Sequence, residues 1–179
     1  MNKDKIQWDK NKVFRTTKCF SPMTNRYPGG FPVGFIKYLK ENKWWGDKRC
    51  YLCCGKVDDE EAVRVDVKEE CNPTHLEDAR NTSLPAEEFD CIIIDPPYSK
   101  ELAKSMYGTE KVWSWINSFT KEALRLCKPN GLIITLSYEV PKRIKGCDLV
   151  ACIGVYQAMS VAHMRCLSVW IKIKEESIK

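Results

Sequence analysis

No apolar run in these 179 residues approaches the ~18–20 residues that a membrane span requires, so no membrane-spanning helix is expected. The opening Met1-Asn2-Lys3-Asp4-Lys5 leads into no apolar stretch, which speaks against a secretory leader. There is no internal repeat and no low-complexity tract. Cys50-x-x-Cys53 has metal-ligand spacing but no second pair at a suitable distance, so no structural zinc or other metal is expected. Glycine is sparse where a phosphate- or nucleotide-binding loop would need it: the end of the first predicted strand carries Gly55 alone.

What is present is enough for a folded domain. Hydrophobic residues make up 44% of the chain, which excludes wholesale disorder and suits one domain with or without an arm. Ten cysteines lie mostly inside apolar runs, as at Cys50, Cys53-Cys54, Cys91, Cys152 and Cys166. They read as reduced, small hydrophobes of a cytoplasmic protein. Charge is unevenly spread: residues 1–50 carry +8, residues 51–100 carry −8 and the remainder +5. A basic flank around an acidic middle suits a protein that meets a polyanion with its rim. Residues 1–26, polar and without periodicity, read as a basic N-terminal arm. Residues 27–179 read as a single domain.

Short apolar runs alternate with helical patterns through that domain. Tyr27-Pro28-Gly29-Gly30-Phe31-Pro32 is a dense turn signal. Phe31, Phe35, Ile36 and Leu39 predict a helix from Val33 to about Asn42. Strands are expected at Cys50–Cys54, Val63–Val67 and Thr74–Leu76, and most clearly at Phe89–Asp95. Cys91-Ile92-Ile93-Ile94 is apolar on both faces, the mark of a central parallel strand. Val112, Ile116, Phe119, Ala123 and Leu124 share a helix face, with the stop expected at Lys128–Gly131. Leu132–Leu136 is a fifth strand, and Leu149–Tyr156 with Met164–Ile173 an antiparallel pair joined through Gln157–Ser160. Residues 55–62 are too few for a helical crossover and are expected to cross as a loop. Glu101–Lys111 is read as another loop. The fold expected is α/β: a mostly parallel, Rossmann-like sheet with an antiparallel C-terminal strand pair.

The sharpest feature is Asp95-Pro96-Pro97-Tyr98 at the end of the strongest strand. Ligands of open α/β sheets bind beyond the carboxyl ends of the strands. Two prolines make a rigid turn that donates no N–H, leaving carbonyls free to accept. An amine there could give one hydrogen to Asp95 and one to the Pro96 carbonyl, while the ring of Tyr98 stacks an extruded base. Cys53-Cys54-Gly55, Asp66 and Asp78-Ala79-Arg80 end the preceding strands at the same edge. His163, in the terminal strand pair with Arg165, suits a structural or substrate-backbone role more than that of a general base.

In these residues the chain resembles the class I S-adenosylmethionine-dependent methyltransferases, in the amino-methyltransferase group with an Asp-Pro-Pro-Tyr motif. The likeness runs from about Tyr27 to Ile173. It includes Asn81–Asp90 before the fourth strand and Leu126–Leu132 before the fifth. The resemblance implies S-adenosyl-L-methionine as cofactor. Gly30, Phe31, Cys54 and Gly55 would line its methionine end, Asp66 would hold the ribose, and Asp78 with Ala79 the adenine. It implies that Asp95, Pro96, Pro97 and Tyr98 are catalytic. The reaction would be methyl transfer to an exocyclic amine of a nucleic-acid base, first of all adenine N6 in DNA. RNA is the alternative substrate, and a non-catalytic nucleotide-binding relative the alternative class. The single glycine departs from the family's glycine-rich loop, and no block of sequence remains for the separate target-recognition domain of DNA members.

Overall fold

The computed structural model describes residues 12–21, 31–157 and 164–173. Eight strands form one sheet: β1 (Phe14–Phe20), β2 (Arg49–Leu52), β3 (Val63–Asp66), β4 (His75–Leu76), β5 (Phe89–Ile94), β6 (Cys127–Ser137), β7 (Cys147–Gln157) and β8 (Arg165–Lys172). Their spatial order is β4-β3-β2-β5-β6-β8-β7-β1. β8 alone runs antiparallel to its neighbours, between β6 and β7; every other pairing is parallel. This is the expected mostly parallel, Rossmann-like α/β sheet.

β5 explains why the sheet is the core. Its residues alternate between faces, and both faces are covered. Cys91 and Ile93 join Phe35, Leu39, Tyr51 and Ile134 beneath α1 (Phe35–Glu41). Ile92 and Ile94 join Leu52, Ile133, Phe119 and Ala123 beneath α3 (Ile116–Leu126). α3 turns Ile116, Phe119, Ala123 and Leu126 inward, the spacing of one helical face. It starts later than the apolar pattern predicts because Trp115 is extended, at ψ 144°. It also ends at Leu126, and the chain passes straight into β6. Lys128–Gly131, expected to punctuate the helix, lies inside that strand where the pairing with β5 shifts register. A Cβ on Gly131 would sit 2.7 Å from Cys127 Sγ and 2.9 Å from the Lys128 carbonyl oxygen. Gly131→Ala is therefore expected to destabilise the protein by about 1–3 kcal/mol, the usual cost of overpacking, read as a lower midpoint in urea.

Three segments bear directly on the sequence reading. Residues 55–62 cross from β2 to β3 without a helix, as their number requires. Arg49 holds this crossover by a two-point bond to Asp59, at 2.9 and 3.0 Å, and Tyr51 donates to the same carboxylate. Within residues 1–26, read from sequence as an arm without periodicity, Phe14–Phe20 pairs in parallel along β7 as an edge strand, exposed except at Phe20. Residues 1–11 and 22–30, and with them Gly30, lie outside the described residues, as do Ala158–His163. The loop expected at Glu101–Lys111 is corrected, since α2 (Lys100–Tyr107) occupies most of it. Ser99 caps α2 by accepting from Leu102 N at 3.1 Å, and Gly108 ends it at φ 69°. No helix among the described residues is long and apolar enough to cross a membrane.

Candidate active site at the carboxyl edge of the sheet

The end of β2 is a tight turn. Cys53 and Gly55 both have positive φ, 59° and 51°, so a side-chain-bearing residue occupies a conformation that glycine would take at less cost. Cys54 N donates to the Val65 carbonyl at 2.9 Å, tying the turn to β3. Gly55 N donates to Asp66 Oδ2 at 2.9 Å, and Lys68 N to Asp66 Oδ1 at 3.0 Å. Asp66, only 2% exposed, thus braces the turn. Burial raises its pKa against the pull of these backbone donors. With Val67 N–H also bonding it, the carboxylate keeps acceptor capacity for a ligand hydroxyl.

At the next strand end, Asp78 accepts from the backbone N–H of Arg80 at 2.9 Å and from its guanidinium. That contact holds the Asp78 carboxyl below the usual range. Ala79 beside it is buried. Cys53, Asp66, Asp78, Ala79, Pro97, Tyr107, Val112 and Phe119 enclose a crevice. A second crevice adjoins it, sharing Cys53, Pro97 and Tyr107 and adding Gly55, Asp95, Pro96, Tyr98, Leu102 and Met106. The structure therefore brings Gly55, Asp66, Asp78, Ala79, Asp95, Pro96, Pro97 and Tyr98 to one edge, as the sequence predicts. Cys54 stays in the core beneath the turn. Phe31 lies apart. It stacks on Phe35 at 4.8 Å and lines a separate cleft of about 420 Å³ between α1 and the 55–62 crossover.

Asp95 follows β5 directly. It is 8% exposed, and burial pushes its pKa up to about 7, against the charge of Arg165 and a hydrogen bond from Tyr98. The Tyr98 hydroxyl donates to Asp95 Oδ1 and accepts from Arg165 Nη1 at 3.0 Å. The Tyr98 ring lies 4.5 Å from that of Tyr138, inclined by 33°. The Tyr98 hydroxyl thus bridges the acid and the cation. Sequence reasoning did not place Tyr138 or Arg165 among the site residues. Arg165 had a signal, as a basic residue opening the terminal strand. Its reach to the end of β5 depends on β8 lying beside β6, which spacing alone does not reveal.

The polar lining suits an adenosine joined to a cationic chain: carboxylates at two strand ends, a turn with a free edge, and a third, buried carboxylate beyond. Asp95 Oδ2 has no partner among the described residues, as expected where a ligand donor belongs. The space is narrow: the two crevices hold about 20 and 10 Å³, against a few hundred for a ligand of that size. Tyr107 of α2 lines both crevices, and Leu102 and Met106 of the same helix line the second. Among the described residues no three His, Cys, Asp or Glu side chains group as metal ligands. Burial pushes the Cys50 thiol up.

No family model matches the chain, and no curated protein matches it. Solved structures show similar architecture at low identity. The PH0226 protein from Pyrococcus horikoshii OT3 is 15% identical with a TM-score of 0.43, over 78% of this chain and 88% of that one. TrmN from Thermus thermophilus is 18% identical with a TM-score of 0.49, over 77% of this chain but 48% of its own. A SAM-dependent methyltransferase from Aquifex aeolicus is 14% identical with a TM-score of 0.43, over 75% of this chain and 88% of its own. At such values these likenesses carry nothing about chemistry to this chain, whose function rests on its own residues.

Proposed function

We propose that the protein is an S-adenosyl-L-methionine-dependent methyltransferase acting on an exocyclic amine of a nucleic-acid base, with adenine N6 in DNA as the first expectation. One observation carries the reading: a buried carboxylate with an idle oxygen, Asp95 Oδ2, heads Asp95-Pro96-Pro97-Tyr98 at the ligand-binding edge of a parallel sheet. When bound, the cofactor supplies a methyl group already activated on a sulfonium. Catalysis by the chain is then mostly positioning. Asp66 accepts the ribose hydroxyls, Asp78 and Ala79 border the adenine, and Gly55 borders the methionine end. Asp95 accepts one hydrogen of the target amine and the Pro96 carbonyl the other. This favours a pyramidal nitrogen whose lone pair faces the methyl carbon. With its pKa near 7, Asp95 can also take the proton that the nitrogen releases once methylated. Tyr98 holds the extruded base with its ring.

The test is transfer of a radiolabelled methyl group to DNA and to RNA, followed by sequencing of the modified product. Label in DNA at adenine supports the reading as stated, and label confined to RNA moves it to the alternative substrate. No transfer to either, together with no affinity for the cofactor in calorimetry, overturns it. The basic flank predicts a substrate affinity that falls steeply with salt.

Asp66→Ala is expected to weaken cofactor binding by about 1–3 kcal/mol, the cost of unpairing hydrogen bonds to a charged acceptor. It also strands Gly55 N and Lys68 N, so its melting temperature should fall as well. Calorimetry with S-adenosyl-L-methionine measures the first effect and a thermal scan the second. Unchanged affinity removes Asp66 from the ribose site.

A further inference from the structure

Two buried polar atoms beside one hydroxyl have no partner among the described residues: Asp95 Oδ2 and Arg165 Nη2. Their sister atoms are occupied. Asp95 Oδ1 accepts from the Tyr98 hydroxyl, and Arg165 Nη1 donates to the same hydroxyl oxygen at 3.0 Å. The carboxylate and the guanidinium therefore reach one atom from two sides, each with its second arm idle. Asp95 is more than nine-tenths buried. A buried acceptor and a buried donor, each left idle on a side chain that bonds the same hydroxyl, are costly unless a ligand engages them. Tyr98 fixes their spacing, and Tyr138 backs the ring of Tyr98.

We infer that Asp95 Oδ2 and Arg165 Nη2 form a clamp for a donor–acceptor pair on the methyl-accepting group, Asp95 taking an amine hydrogen and Arg165 donating to an acceptor atom beside that amine. The inference rests on the methyl-transfer reading and adds a specificity rule to it. Arg165 becomes a specificity-determining residue that touches the target directly. The guanidinium suits this task because it is planar and permanently charged, with donors in a fixed fork, so one arm can hold Tyr98 while the other reads the ligand. The rule admits flat groups that carry an acceptor next to an amine. Adenine qualifies, with N6 beside N1 or N7, and so does cytosine, with N4 beside N3. A lysine ammonium, which has donors and no acceptor, does not. A target that leaves Arg165 Nη2 unpaired is rejected more strongly than one that merely fits loosely, because the site's own buried donor is then stranded.

The clamp is tested with the full chain, S-adenosyl-L-methionine and single-stranded oligonucleotides that differ only at the target base: adenine, 1-deazaadenine or 7-deazaadenine. Both analogues keep the amine and the ring, and each lacks one neighbouring acceptor. The clamp predicts that one of them is methylated at least tenfold more slowly than adenine, in line with the discrimination of a two-point base contact. In Arg165→Met that ratio should collapse toward one, whereas a purely structural role for Arg165 would slow all three substrates alike. If Arg165→Met does not fold, the parent's own ratios decide. Equal rates on all three bases in the parent overturn the clamp while leaving methyl transfer in place. Absence of transfer to any substrate, with no cofactor affinity, overturns the methyl-transfer reading and the clamp with it.

Discussion

Asp95→Ala is expected to slow methyl transfer at least a hundredfold while leaving cofactor affinity near that of the parent. An exocyclic amine on an aromatic ring is a poor nucleophile because its lone pair is delocalised. Two acceptors that draw off its hydrogens localise that pair, and Asp95 Oδ2 is the charged one of the two. Removing one preorganised polar contact of this kind costs about 3–4 kcal/mol of barrier, a hundredfold or more in rate. The alanine also frees the Tyr98 hydroxyl, which donates to Asp95, so part of its effect is lost order. Asp95→Asn separates the two contributions. Its amide oxygen can still accept from Tyr98, while its NH₂ presents donors where the amine needs an acceptor. Single-turnover label transfer should find the asparagine variant about as slow as the alanine variant. An asparagine variant near the parent rate would remove Asp95 from the chemistry.

The same asparagine substitution is expected to stabilise the fold at alkaline pH. Asp95 titrates near 7 in the folded protein, against an ordinary value of 3.8, chiefly because burial penalises its charge. Between these values the folded chain holds a proton that the unfolded chain has lost. Its stability therefore falls as pH rises through that window and levels off above about 7. The contribution is about 2–4 kcal/mol, from roughly three units at 1.36 kcal/mol each. Asp95→Asn, neutral at every pH, should escape this loss. Its melting temperature should exceed that of the parent at pH 8 and approach it at pH 4. Transfer by the parent should follow the opposite trend, rising with pH as the carboxylate forms. Equal melting temperatures at pH 8 would mean that the Asp95 carboxylate is better solvated than its burial implies.

The central sheet was legible because its strands are buried on both faces. Cys91-Ile92-Ile93-Ile94 has no alternative as a surface segment, and the helix-free crossover followed from the shortness of residues 55–62. The edge of the sheet was less legible. Phe14–Phe20 has one strand neighbour and mostly exposed side chains, so no alternation of apolar and polar residues marks it. α2 fully buries Ala103 alone, and its apolar stripe of Leu102, Ala103, Met106 and Tyr107 spans only two turns, too short a pattern to separate a helix from a loop. Asp66, Asp78 and Asp95 could be placed at one edge because each closes a strand whose direction the βαβ logic sets. Arg165 could not, since it begins an antiparallel strand inserted between β6 and β7. Likewise the second role of Tyr98 depends on a partner 67 positions away.

The position of β1 also has a consequence for synthesis. Phe14 sits opposite Ala151 and Phe20 opposite Gln157 in the finished sheet, so the earliest described strand is completed by one of the last. At about 5–20 residues per second, on the order of ten seconds elapse between the emergence of β1 and that of β7. β8 must then follow before β7 is joined to the rest of the sheet. Throughout that interval Phe14–Phe20 is a nascent strand with no native neighbour. An unpaired strand of this kind is a template for pairing with another chain. Its exposed Arg15 and Lys18 put like charge on that edge, the kind of residue that disfavours wrong pairing of a strand.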